Sequence, residues 1–177
     1  MKELAVPFCQ QTGGTDCAFA ALEMMLKFKW PSRNDISGLI RGAIAQANHL
    51  FSSGIDLQQG VAPKAIGDIL ALLGVSTSQL TNPLAELEFA DVKKMIDGNT
   101  PILVYLQNRS LGQYGHYIVI TGYGNDANAG GRGYIIFHDP SGEKSKAVYL
   151  DIFPAQYFFQ GNWIWGECWV LFQTIKT

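Results

Sequence analysis

Near the start of the chain, a cysteine and an upstream glutamine have the types and spacing of a thiol nucleophile and its oxyanion donor. Gln11 and Cys17 are separated by a glycine-containing loop, and an apolar helix pattern follows Cys17. A thiol in the first turn of a buried helix lies at the positive helix end, which favours the thiolate that attacks carbonyls. The amide of Gln11 can fold back and donate to the resulting oxyanion. One short segment thus offers two parts of an acyl-transfer site.

The second pair of chemical interest lies in the other half of the chain. Residues 116–123 and 132–139 alternate like strands and flank a polar, glycine-rich connection. Symmetric pairing places His116 opposite Asp139, with Cβ atoms about 4.5–5.5 Å apart. A carboxylate and an imidazole on an otherwise apolar face are costly to bury unless they pair, and such a pair stabilises the imidazolium that serves a thiol. A slip of one residue would instead bring His138 opposite His116 and turn the apolar face outward.

The secondary structure that the sequence predicts around these residues changes from helices to strands along the chain. The apolar periodicity predicts four helices first, and the alternating segments predict five strands later. The predicted helices cover 17–29, 36–47, 63–73 and 91–97, with Thr15 or Asp16 as the cap of the first. The predicted strands cover 102–106, 116–123, 133–139, 147–150 and 167–173. This order predicts an α+β fold in one domain over 1–177, with a helical lobe over about 1–97 and an antiparallel sheet lobe over about 98–177.

The composition excludes several other classes of protein. The chain has 177 residues, 47% hydrophobic and 16% charged, with a net charge of −2, which is typical of a globular protein and predicts no nucleic-acid partner. No apolar run approaches the roughly 20 residues of a membrane span, so no membrane partner is expected. The cysteines, Cys9, Cys17 and Cys168, are odd in number, which argues against a disulfide framework and favours the cytoplasm. Cys9 and Cys168 are predicted to be structural, and no zinc-ligand spacing is present.

With Gln11, Cys17, His116 and Asp139 identified, the chain resembles the papain-like cysteine peptidases. It is most similar to the bacteriocin-processing branch, which removes double-glycine leader peptides. The matching stretches are 6–8, 11–17, 98–104, 115–117 and 139–142. The resemblance implies a papain-like fold and a peptide or protein substrate, with no metal or organic cofactor. It also implies the roles of nucleophile for Cys17, general base for His116, orienting carboxylate for Asp139 and oxyanion donor for Gln11.

Three details of the resemblance leave questions open. Gln10 competes with Gln11 as the oxyanion donor, and only the family's spacing favours Gln11. Many members have glycine directly after the cysteine, where this chain has Ala18. No transporter segment is attached, so we expect a free-standing enzyme or a domain of a longer protein.

Several functions are compatible with these residues. The primary hypothesis is hydrolysis of peptide bonds, either of double-glycine leaders or by a toxin or effector domain delivered into the cytoplasm of a target cell. A toxin is expected to have an immunity protein that covers its cleft. Acyl transfer to an amine and a catalytically silent binding module are the alternatives. In the last case Cys17 is a buried structural thiol, His116 a satisfied core histidine and Asp139 the first residue of a turn.

The sequence does not define the substrate. The loops 52–60 and 111–115 are candidates for the cleft rim. The aromatic residues near the C-terminus are predicted to close the core of the sheet. They are Phe158, Phe159, Trp163, Trp165 and Trp169.

Overall fold

Helix α1, which begins at Cys17, packs against the middle strands of an antiparallel sheet. The computed structural model describes residues 1–51, 60–79, 87–108, 115–153 and 163–173. The helices within those ranges are α1 (Cys17–Lys29), α2 (Ile36–Phe51), α3 (Pro63–Leu72) and α4 (Phe89–Asp97). The strands are β1 (Lys2–Glu3), β2 (Val75–Gln79), β3 (Ile102–Asn108), β4 (Gly115–Asp126), β5 (Arg132–Asp139), β6 (Glu143–Tyr149) and β7 (Trp163–Gln173). The fold is α+β, as predicted.

Helix α1 is buried on most sides because its sequence is apolar or small at nearly every position. Its solvent-facing stripe carries an ion pair between Lys27 Nζ and Glu23 Oε1 at 2.9 Å. Asp16 occupies the N-cap position but its side chain does not cap the helix. The Asp16 carboxylate accepts a hydrogen bond from Thr12 Oγ1 at 2.7 Å and so stabilises the preceding loop. The predicted capping role of Asp16 is therefore wrong.

The sheet takes strands from both halves of the chain. Its order is β2-β7-β3-β4-β5-β6, every pairing is antiparallel, and β1 adds to β4. Neither β1 nor β2 was expected from the sequence, and both come from the part predicted to be helical. The central strand β4 is buried along most of its length, and Tyr117 Oη on it donates to the carbonyl of Val61 at 3.0 Å, just before α3.

The register of β4 against β5 differs from the predicted one. Symmetric pairing placed Val119 opposite Ile136, whereas the structure pairs Val119 with His138, a shift of two residues. A bulge follows between Ile120 and Gly122, after which Gly122 pairs with Ile136. The predicted placement of His116 directly opposite Asp139 is therefore wrong. Because the shift is even, the two side chains still share a face and become diagonal neighbours.

Some sequence predictions lie outside the described residues. They concern the rim loops over 52–59 and 111–114, the phenylalanines at 158 and 159, and the side chains of the three tryptophans on β7. In the described part of the chain, none of the helices has both the length and the apolar character needed to cross a membrane.

Gly122 permits the close approach of β1, which leads into the segment carrying Gln11. A Cβ at Gly122 would lie 2.5 Å from the backbone oxygen of Lys2, so Gly122→Ala must displace β1 or β4. We expect it to lower the free energy of unfolding by about 1–3 kcal/mol, measured by urea denaturation. The matched control is Gly67→Ala, in an exposed, open position of α3, which should gain about 1 kcal/mol from helix propensity. Equal stability of Gly122→Ala and the wild type would contradict this account of β1.

Candidate active site

His116 and Asp139 meet through a hydrogen bond of 2.7 Å between Nε2 and Oδ1. The side chains are 14% and 2% exposed, so the pair is largely shielded from water. Because Nε2 faces the carboxylate, Nδ1 is the ring nitrogen left to serve another group. The diagonal arrangement on β4 and β5 thus produces the contact that the sequence predicted, through a different register.

Cys17 provides the second partner of His116. It is the first residue of α1, is 7% exposed, and its thiol is within hydrogen-bonding reach of the imidazole. At this position the backbone N–H of Cys17 is one of the amides that the helix itself leaves unpaired. The helix start therefore brings a thiol and a backbone donor to the edge of the His116 ring.

The electrostatics of the site favour a charged imidazole. Burial lowers the pKa of His116, but the hydrogen bonds and electrostatic interactions with Asp139 and Cys17 outweigh it and raise the pKa from 6.5 to about 9. Burial raises the pKa of Asp139, yet hydrogen bonds from His116 and Ser141 hold it below its ordinary value. At neutral pH the site therefore contains an imidazolium between a carboxylate and the thiol group of Cys17.

Gln11 is anchored to the same site by its backbone. Its N–H donates to the carbonyl of Pro140 at 2.9 Å, directly after Asp139. Its side-chain Nε2 donates to the carbonyl of Gly13 at 3.0 Å, and Oε1 is buried without a hydrogen-bond partner in the structure. One N–H of the amide thus fixes the side chain to the loop before Cys17 and leaves the second N–H for another acceptor.

Gln10, the competing candidate, is exposed and lies against the same turn. A Cβ on Gly142 would be 3.6 Å from Gln10 Nε2. The turn after β5 is therefore contacted by both glutamines, by Gln11 through its backbone and by Gln10 through its side chain.

The remaining cysteines and histidines lie in other environments. None of the three cysteines is in a disulfide. Cys9 is buried and accepts a hydrogen bond from Lys27 Nζ at 3.7 Å, and its burial raises the pKa of the thiol. His138 is buried on β5, donates from Nε2 to Val6 O at 3.0 Å and accepts at Nδ1 from Ser145 N at 3.1 Å. It is thus a core residue with partners on both ring nitrogens. His49 is exposed on α2.

The structure also shows one polar residue of the site to which sequence reasoning gave no role. Ser141 donates to Asp139 Oδ1 from both its backbone N–H, at 2.9 Å, and its hydroxyl, at 2.7 Å. The signal in the sequence was the order Asp-Pro-Ser-Gly, which is typical of a turn whose first side chain bonds its own backbone. Among the described residues, no group of three or more His, Cys, Asp or Glu side chains could hold a metal ion.

One protein-family model matches most of the chain. The model of the Peptidase_C39-like family matches residues 3–165, a span that includes α1, the His116–Asp139 pair and most of the sheet. The chain belongs to the Peptidase_C39-like family. As a member it is a cysteine peptidase that is similar to the bacteriocin-processing enzymes, which confirms the family predicted from the sequence.

Two solved peptidase structures have a similar fold. The peptidase domain of Streptococcus ComA, a bifunctional ABC transporter involved in a quorum-sensing pathway, aligns with a TM-score of 0.61 at 19% identity, over 96% of this chain and 99% of that one. A chain described as a C39-like peptidase from Bacillus anthracis aligns with a TM-score of 0.57 at 14% identity, over 98% of each chain. The comparison with curated proteins found no match.

Proposed function

We propose that this peptidase cleaves peptide bonds with Cys17 as nucleophile, His116 as general acid and base, and Asp139 as the carboxylate that orients His116. The observation that carries the proposal is the hydrogen bond of Asp139 to His116 Nε2, on a ring that also contacts the Cys17 thiol. A thiol, a charged imidazole and a buried carboxylate in this order are the parts of nucleophilic acyl transfer.

The steps follow from the positions of the three groups. The Cys17 thiolate adds to the carbonyl carbon of the scissile bond, and the negative charge moves to the carbonyl oxygen. The backbone N–H of Cys17 and the second amide N–H of Gln11 donate to that oxyanion. The imidazolium of His116 then gives its Nδ1 proton to the leaving amine, and a thioester remains on Cys17. Water, deprotonated by His116, hydrolyses the thioester and returns the thiolate.

Asp139 keeps the His116 ring in the tautomer that this cycle requires. When His116 is neutral, its proton stays on Nε2 because the carboxylate accepts a hydrogen bond there, so Nδ1 is the free base that takes a proton from water. When His116 is charged, the same carboxylate stabilises it. The carboxylate therefore acts in both half-reactions without exchanging a proton itself.

For the substrate, we propose a peptide or protein, with leader peptides that end in a double glycine as the favoured class. The support is membership of the Peptidase_C39-like family and the shared fold of the ComA peptidase domain. The toxin or effector setting, its immunity partner and delivery into a target cell have no support of this kind and stay predictions from the sequence. The same holds for acyl transfer to an amine, whereas a catalytically silent binding module conflicts with the family's class of cysteine peptidases.

Replacement of the nucleophile tests the proposal most simply. Cys17→Ala should reduce peptide cleavage by at least about a thousandfold because no thioester can form. The measurement is the appearance of new N-termini in a peptide library, including double-glycine leaders, with circular dichroism as the check of folding. The matched control is Cys9→Ala, which also removes a buried thiol and should retain cleavage. Undiminished cleavage by Cys17→Ala would overturn the assignment.

A pair of glutamine variants tests the oxyanion donor. Gln11→Ala should lower kcat by about 10²–10³ with a small change in KM, because the donor acts on charge that develops in the transition state. Gln10→Ala, the adjacent control, should keep nearly full kcat. Steady-state kinetics on the best peptide from the library measures both, and the opposite ranking of the two variants would assign the donor role to Gln10.

A further inference from the structure

Asp139, the last residue of β5, and the three residues after it form a tight turn whose geometry fixes the Asp139 carboxylate. Gly142 N donates to the backbone carbonyl of Asp139 at 3.1 Å, which closes the turn. Pro140 supplies the restricted φ of the second position, and Gly142, at φ 135°, takes a conformation that favours glycine. The chain thus reverses directly after Asp139, and Ser141 comes back over the Asp139 side chain.

Three donors converge on a single oxygen of that side chain. Asp139 Oδ1 accepts from His116 Nε2 at 2.7 Å, from Ser141 N at 2.9 Å and from Ser141 Oγ at 2.7 Å. Two of the three come from one residue, so Ser141 fixes the direction in which the carboxylate points. Hydrogen bonds to a charged acceptor are shorter and about twice as strong as neutral ones. The orientation of the Asp139 carboxylate toward His116 is therefore set by the turn as well as by His116.

The same turn also holds the segment of the oxyanion donor. The carbonyl of Pro140 accepts the hydrogen bond from Gln11 N at 2.9 Å, and Pro140 is buried. Pro140 lies between Asp139 and Ser141 in the turn. The turn therefore contacts His116 through the side chain of Asp139 and Gln11 through the backbone carbonyl of Pro140. A distortion of the turn would move both at once.

We propose that Ser141 is a positioning residue of the active site, whose hydroxyl and backbone N–H hold Asp139 against His116 within a turn that also anchors Gln11. The inference rests on the proposed roles of His116 and Asp139. It adds a residue that contacts neither the substrate nor the thiol and acts only through Asp139.

Three variants separate this role from a general effect of mutation. Ser141→Ala removes the hydroxyl and keeps the backbone N–H, Ser141→Thr restores a hydroxyl, and Ser145→Ala is the matched control. The Ser145 hydroxyl also donates to a carboxylate, that of Glu3 at 2.7 Å, but on the exposed strand β6. The readouts are kcat and KM, and the rate at which the His116 Nε2 proton exchanges with water, measured by NMR on ¹⁵N-histidine-labelled protein.

Ser141→Ala should lower kcat about tenfold with KM nearly unchanged, and should speed exchange of the Nε2 proton at least about tenfold. Ser141→Thr should restore both, and Ser145→Ala should change neither. Unchanged exchange in Ser141→Ala, or an equal effect of Ser145→Ala, would overturn the proposal. The exchange rate needs no turnover, so a wild-type protein that cleaves no peptide would refute the proposed function while the NMR comparison still decides the role of Ser141.

Discussion

The buried carboxylate of Asp139 is the constraint on which the site depends. A charged group shielded from water is stable only where donors surround it, because the cost of removing it from water is several kcal/mol. Here the donors are the imidazole of His116 and two groups of Ser141. Satisfying Asp139 therefore fixes the imidazole with Nε2 on the carboxylate, so that Nδ1 is the ring nitrogen left to serve Cys17. The hydrogen bonds that stabilise the buried Asp139 carboxylate are therefore the same ones that orient His116 for the reaction.

The fold brings three distant segments to that carboxylate. The antiparallel pairing of β4 and β5 places His116 and Asp139 on one face, and α1 packs on the sheet with Cys17 at its first turn. The segment before α1 begins with β1, which pairs with β4, and further along this segment the N–H of Gln11 donates to the carbonyl of Pro140. The pairing of β1 with β4 and the turn after β5 thus each hold one point of the segment that precedes α1.

Parts of this arrangement could be predicted from the sequence because they depend on local periodicity. The bounds of α1 follow from a nearly continuous apolar pattern, and the shared face of His116 and Asp139 follows from the two-residue period of strands. The exact register did not, because β4 continues past the predicted strand end to pair Asp126 with Arg132. The bulge between Ile120 and Gly122 then changes the register by one residue. The strands β1 and β2 were missed because one has two residues and the other is mostly polar. Ser141 was missed because its role depends on the distance to Asp139 across a turn.

Titration of the His116 ring by NMR tests most directly whether Asp139 and Cys17 together keep His116 charged at neutral pH. We expect a pKa of about 9 in the wild-type protein. Asp139→Asn should lower it, because the amide removes the negative charge that stabilises the imidazolium, and Cys17→Ala should lower it because alanine cannot hydrogen-bond to the ring. A His116 that titrates at or below 6.5 in the wild type, with no change in Asp139→Asn, would contradict the account.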